Sequence, residues 1–230
     1  MSFLGLAGAF ILGGILGWGA TTLYSPAIND SGLPTVGIGG GPTDDRTINQ
    51  EALLPLNNLM REHGNLAVLH LQAIYDDKDL LPTGQQLDTN SQQLADLFSG
   101  VFGAQAGEQI QPMWKDHINE YVNYTHALKN NDQAEMERAR TRLTELGNEM
   151  GEMFEDANQN LSSDEVATYL KEHITLTLNI IDSHARGDQD AMVKQIKAAN
   201  EQATQFATFI TEQLNNASES PPTTSSTNSL

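Results

Sequence analysis

A basic–acidic–histidine triplet occurs three times in this chain: Arg61-Glu62-His63, Lys115-Asp116-His117 and Lys171-Glu172-His173. Neutral imidazole is the commonest metal ligand among side chains. Three imidazoles with one open position form a catalytic zinc arrangement, and imidazole also suits copper, iron and nickel. On a helix the neighbours at i±3, i±4 and i±7 share a face. Around His63 these are Leu56, Leu59, Met60, Leu66, Ala67 and His70. Around His117 they include Ile110, Met113, Trp114, Tyr121 and Tyr124, and around His173 Val166, Tyr169, Leu170, Leu176 and Ile180. Each triplet histidine therefore faces an apolar stripe, the side expected to turn towards a core. A buried imidazole there needs a hydrogen-bond partner or a metal, because an unsatisfied polar group costs ~1–3 kcal/mol.

The candidate metal ligands are His63, His117 and His173, with His70 as a fourth, two turns after His63 on the same face. Glu62, Asp116 and Glu172 point ~100° away from their histidines, where they can orient an imidazole from a neighbouring helix. Met60 and Met113 favour copper(I) if they reach the site. Copper or zinc is the expected ion, with haem a less favoured occupant. His126 and His184 fall near helix C-termini and are expected at the surface. The competing reading is three structural core histidines, each bonded to a carboxylate on the next helix. The spacing contains no H-E-x-x-H and no Glu-x-x-His pair, and the chain has no G-x-S-x-G, P-loop or Rossmann fingerprint. The reading leans away from an enzyme. A metal-assisted hydrolase or oxidase would need one of those three carboxylates as its base.

Those residues must be positioned by helices. Apolar positions recur with helical period over 49–75, 88–102, 105–129, 132–156, 163–185 and 188–215, and no segment alternates as a strand does. Pro82-Thr83-Gly84, Gly103, Asn130-Asn131-Asp132, Ser162-Ser163 and Gly187-Asp188 punctuate them. Short connections between long amphipathic helices predict an all-α, antiparallel bundle of five to six helices. The bundle contains an internal repeat. An offset of 56 residues superposes His117 on His173, Asn123 on Asn179, Asp132-Gln133 on Asp188-Gln189 and Met136 on Met192. That is a helical hairpin used twice, and His63 supplies a third copy of its signature 54 residues upstream of His117.

The 230 residues carry 30 acidic and 12 basic side chains, a formal net charge of −18. Nucleic-acid binding and polybasic attachment to lipid both need clustered Lys and Arg, so both are excluded as expectations. Most of the acidic excess reads as a solvated surface. Hydrophobic residues make up 39%, enough for a core, and the absence of cysteine excludes disulfides and thiolate sites.

Segment 3–23 holds 21 residues without a charge, about 31 Å as a helix and so one bilayer core. The division expected is 1–28 as a transmembrane anchor or signal segment, 29–48 as a Gly/Pro tether, 49–214 as the bundle and 215–230 as a disordered tail. With no Lys or Arg before Arg46, an uncleaved single-pass anchor is favoured over a signal peptide. The bundle would then lie on the extracytoplasmic side, or be secreted or periplasmic if the segment is cut. Gly13 and Gly17 form a GxxxG that can pair such helices.

The stretches LMREHGNLAVLHLQA, LDTNSQQLADLF, FGAQAGEQIQPMWKDHINEYVNYTHAL and LKEHITLTLNIIDSHARGDQDAM resemble a group of exported bacterial helical-bundle proteins. That group is often labelled copper amine oxidase-like, a label that belongs to a separate attached domain. The resemblance covers about 52–212. It implies export and a helical bundle, and it singles out His63, Asn90, Trp114, His117, Tyr124 and His173, with Trp114 and Tyr124 as supporting residues. The family pattern has another histidine in the last helix, where this chain has Asn200 or Glu201. Two functions follow as expectations: a membrane-tethered bundle that holds a metal ion or haem through inward histidines, or an envelope interaction or sensor module with a protein partner and purely structural histidines.

Overall fold

A computed structural model describes residues 46–218, with side chains described over 54–214. The expected apolar helix over 3–23, Gly13 and Gly17, the tether and most of the tail lie outside these residues. Among the described residues there are six helices and no strand: α1 (Arg46–Tyr75), α2 (Leu81–Phe102), α3 (Ala104–Asn130), α4 (Gln133–Ala157), α5 (Ser163–Ala185) and α6 (Gln189–Ser218). No described helix is long and apolar enough to cross a membrane.

Two boundaries differ from expectation. The Pro82-Thr83-Gly84 group starts α2 and does not break the chain. Proline in the first turn lacks only an N–H that has no helical partner anyway, and the Leu81 N–H there is taken by Asp79 Oδ1 at 3.0 Å. At the other end α6 runs on to Ser218, four residues into the expected tail.

Each helix lies beside its sequence neighbours, α6 closes onto α1, and α1, α3 and α5 also touch one another. The six helices thus form a ring of three hairpins whose first helices meet at the centre. Short connections make consecutive helices antiparallel, so these three run in one direction.

The repeat is threefold, and the turns show it. Each hairpin turns on one residue with positive φ: Asp77 at 55°, Asn131 at 57° and Gly187 at 70°. The same pair of backbone bonds closes each turn. Asp77 N–H and Lys78 N–H reach the carbonyls of Ile74 and Ala73, Asn131 and Asp132 those of Leu128 and Ala127, and Gly187 and Asp188 those of His184 and Ser183. These are Schellman-type helix ends, where the left-handed residue lets the next N–H satisfy an orphan carbonyl. Asp132 then caps α4 by accepting from Glu135 N–H at 3.1 Å, and Asp188 caps α6 by accepting from Ala191 N–H at 3.0 Å. Lys78 stands at the corresponding place in the first hairpin and cannot cap, which is why α2 begins later and on proline.

The core has two parts. One gathers Leu56, Phe98, Trp114, Phe154 and Phe206, and the other Leu71, Tyr121, Tyr124, Leu143 and Ile181. The histidine layer lies where they meet.

Candidate metal centre

His63, His117 and His173 each stand 14 residues before the positive-φ residue of their own hairpin. At ~1.5 Å per residue all three lie at one level, about 21 Å from the turns. Equal height on three central, parallel helices puts the three histidines in one layer. The His63 and His117 ring centres are 5.5 Å apart, and Tyr121 stands 5.7 Å from His117 and 6.4 Å from His173. The layer on one side holds the repeat-equivalent Met60, Trp114 and Leu170, and the layer on the other Ala67, Tyr121 and Thr177.

His63 is held from outside the ring. Asn90 on α2 directs its Nδ2 to the Leu59 carbonyl at 3.1 Å and to Glu62 Oε2 at 3.2 Å. Both are acceptors, so the amide orientation is settled and its Oδ1 must face His63 Nδ1, 3.1 Å away. An amide oxygen can only accept. His63 therefore carries its proton on Nδ1 and keeps a lone pair on Nε2, which is buried without a partner. Trp114 Nε1 lies 3.3 Å from the same Nδ1. An indole N–H can only donate, so Trp114 and Asn90 compete for one nitrogen in opposite protonation states. The Asn90 contact is the shorter of the two and its amide is pinned by two other acceptors, which favours the Nδ1–H form.

The other members are also underbonded. His117 Nδ1 makes no well-formed hydrogen bond and has only the Trp114 and Met113 backbone beside it, and the Tyr121 hydroxyl has only Thr177. Burial, then the field of His173, pushes the His63 imidazole down to about 3 against the hydrogen bond that it donates to Asn90. Burial pushes His173 down to about 4. Burial first, then His63 and His173, hold His117 well below its usual range. All three are neutral at physiological pH, the form that binds metal.

Beside this layer is a cavity of about 30 Å³, room for a water or an ion. Its walls include His117, His173, Met60, Met150, Trp114 and Gln202. His63 adjoins His117 but is not among them. As the rings stand, no three His, Asp or Glu among the described residues are placed around one metal position.

Several expected residues lie elsewhere. His70 shares the face of His63 but sits seven residues on, ~10 Å along the axis; its Nδ1 meets Thr83 Oγ1 at 3.0 Å beside the start of α2. Asp116 is exposed and pairs with Arg142 at 3.7 Å. Glu172 is exposed. Glu62 reaches the site only through Asn90. Tyr124 is two layers nearer the turns, where its hydroxyl donates to Asp182 at 2.7 Å and accepts from Arg140 at 2.5 Å. Met113 packs in the first core cluster and does not wall the cavity. His126 is exposed as expected, whereas His184 is largely covered and meets Asp76 at 3.0 Å. Sequence reasoning missed Met150 and Gln202, which reach the cavity from α4 and α6. Both sit on apolar helical faces that look like ordinary core. Asn200 faces the α1–α6 seam and Glu201 is exposed.

No protein-family model, curated protein or solved structure matches this chain.

Proposed function

We propose that the bundle binds a single d10 transition-metal ion, copper(I) in first place, at the His63–His117–His173 layer. The observation that carries this reading is the buried, unpartnered Nε2 of His63, whose other nitrogen is tied to Asn90 as metal-ligating histidines are typically tied. Met60 and Met150 on the cavity wall add soft thioether donors. Every donor is neutral. A buried monovalent ion then leaves one uncompensated charge where zinc would leave two, and burying charge is costly. A cavity of about 30 Å³ admits an ion and not a porphyrin. His117 and His173 on its wall would be the first imidazoles to hold the ion, with His63 adjoining His117. The net charge of −18 raises the local concentration of cations.

The apolar segment 3–23 and the tether would hold this bundle at the extracytoplasmic face of a membrane, in line with the resemblance to exported bundles. The other reading, an interaction or sensor module with structural histidines, draws on the Asn90 bond, which already satisfies one nitrogen of His63.

Anaerobic titration with copper(I) against a chromophoric chelator, repeated with zinc, tests the proposal. One ion per chain is expected, with binding lost in His117→Ala and in His173→Ala and weakened in His63→Ala. Binding unchanged in all three variants would refute it.

A further inference from the structure

The histidine layer is buried, yet it is not sealed equally on all sides. An open groove of about 480 Å³ runs along the outside of α1 and α6 and is lined by Arg61, Lys197, Asn200, Glu201, Thr204 and Gln205. Behind it, between α1, α5 and α6, lies a gap of about 10 Å³. Arg61 and Asn200 line both spaces, and Met60 and His173 line both this gap and the cavity of the histidine layer. The three spaces thus form a file from solvent to His117, each sharing two residues with the next.

The side-chain contacts from Asn200 to α1 that close the file are long, although Asn200 Nδ2 also donates to the Ile196 carbonyl at 3.1 Å and Thr204 Oγ1 donates to Asn57 Oδ1 across the same seam at 3.0 Å. Asn200 Oδ1 accepts from Arg61 Nε and from Asn65 Nδ2, each at 3.4 Å, and Asn200 Nδ2 reaches Asn65 Oδ1 at 3.4 Å. These lie at the long limit of hydrogen bonding, and all three residues reach the surface. Small residues, Gly64, Ala199 and Ala203, line part of the seam behind them, beside the bulkier Val68, Ile180 and Ile196. His173 is the only triplet histidine that keeps partial exposure, while His63 and His117 are buried.

We infer that the α1–α6 seam is the route by which a small ligand reaches the histidine layer, with Asn200 and Arg61 as its gate and His173 as the first imidazole met. This rests on reading that layer as a ligand site. Arg61 and Lys197 make the mouth locally cationic, although Glu201 lies 3.8 Å from Lys197. A metal cation therefore passes faster when Arg61 loses its charge. Gly64 offers the opposite control: a Cβ there meets no atom within 4 Å, so a larger side chain can plug the seam without a backbone clash.

The test uses the full chain in two arms. The first needs no metal: diethyl pyrocarbonate is added and the acylation of each histidine is followed by mass spectrometry. His173 should react before His117 and His63. Asn200→Ala and Arg61→Ala should each raise its rate by about threefold or more and Gly64→Leu should lower it, through local opening at the seam, while exposed His126 stays constant as the internal control. A His173 rate unmoved by all three substitutions, or His117 reacting first, would overturn the route. The second arm follows copper(I) uptake by Trp114 fluorescence in a Trp18→Phe background. Arg61→Ala should speed association and release together, leaving equilibrium affinity unchanged; a changed affinity with unchanged rates would overturn the gate. If the first arm behaves as expected and no copper(I) binds, the metal reading fails and the route stands.

Discussion

Asn90 determines which nitrogen of His63 carries the proton: its Oδ1 lies 3.1 Å from His63 Nδ1, and its own amide is anchored on Leu59 and Glu62. That contact reaches α1 from α2, which is not one of the three central helices, yet it decides the chemistry at the centre. It leaves the Nε2 lone pair available and sets Trp114 as the rival donor at 3.3 Å.

Replacing Asn90 with Leu removes the acceptor at nearly constant volume. Trp114 then donates to His63 Nδ1 and the proton moves to Nε2. Nitrogen NMR of the His63 ring should show Nδ1–H in the native protein and Nε2–H in Asn90→Leu, with copper(I) binding weaker by about 10–100-fold. A native protein that already carries Nε2–H would contradict the assignment.

Stability should fall as pH drops below neutrality. The folded-state values of His63 and His173, about 3 and about 4, lie below the ordinary 6.5, and that of His117 is also lowered. The unfolded chain therefore takes up protons first. The stability that comes from keeping these rings neutral is full above about pH 6.5 and is lost downwards, until each folded ring titrates in turn. Each histidine contributes at most about 1.4 kcal/mol per pH unit in that window. Urea midpoints at about pH 7.5 and pH 5, above most of the carboxylate range, measure it. His63→Leu should flatten the slope by about one proton, and equal midpoints at both pH values would show that the rings are not buried as neutral groups.

Two glycines on α4 should respond in opposite directions. A Cβ at Gly147 meets only Ile174 Cδ1 and Leu170 Cβ, both at 3.6 Å, so Gly147→Ala should gain about 0.5–1 kcal/mol from helix propensity. It also trims the cavity that Gly147 lines, so copper(I) affinity should drop while stability rises. A Cβ at Gly151 would stand 2.5 Å from the Ser163 carbonyl oxygen at the start of α5. Gly151→Ala should therefore destabilise by about 1–3 kcal/mol through overpacking against backbone. Thermal melts of the two variants, read beside the native protein, decide this.

Tyr124 lies in a cluster away from the histidines. Its hydroxyl joins Asp182 and Arg140, and burial first, then the balance of these two, pushes it up to about 12. Tyr124→Phe should cost about 1.5–3 kcal/mol, the range for hydrogen bonds to charged groups, and leave metal binding unchanged. Chemical denaturation and the chelator competition measure the two effects separately.

The sequence by itself determined the six helices, their hairpin order and the inward face of each triplet histidine, because a 3.6-residue period and turn chemistry are local properties of the chain. It also carried the 54- and 56-residue offsets that place His63, His117 and His173 at one height. Only the tertiary structure decided what surrounds that height. His70 passed every helical-face criterion and still faces Thr83, since seven residues of rise along α1 carry it from the middle of α2, where Asn90 meets His63, to the start of that helix. Asn90, Met150 and Gln202 gained their roles from α2, α4 and α6 closing around the central helices, a packing relation that no spacing within one helix records. Pro82 looked like an end and is a beginning, because a proline's missing N–H is harmless in a first turn. Periodicity says which way a side chain faces; assembly of the ring alone says what it faces.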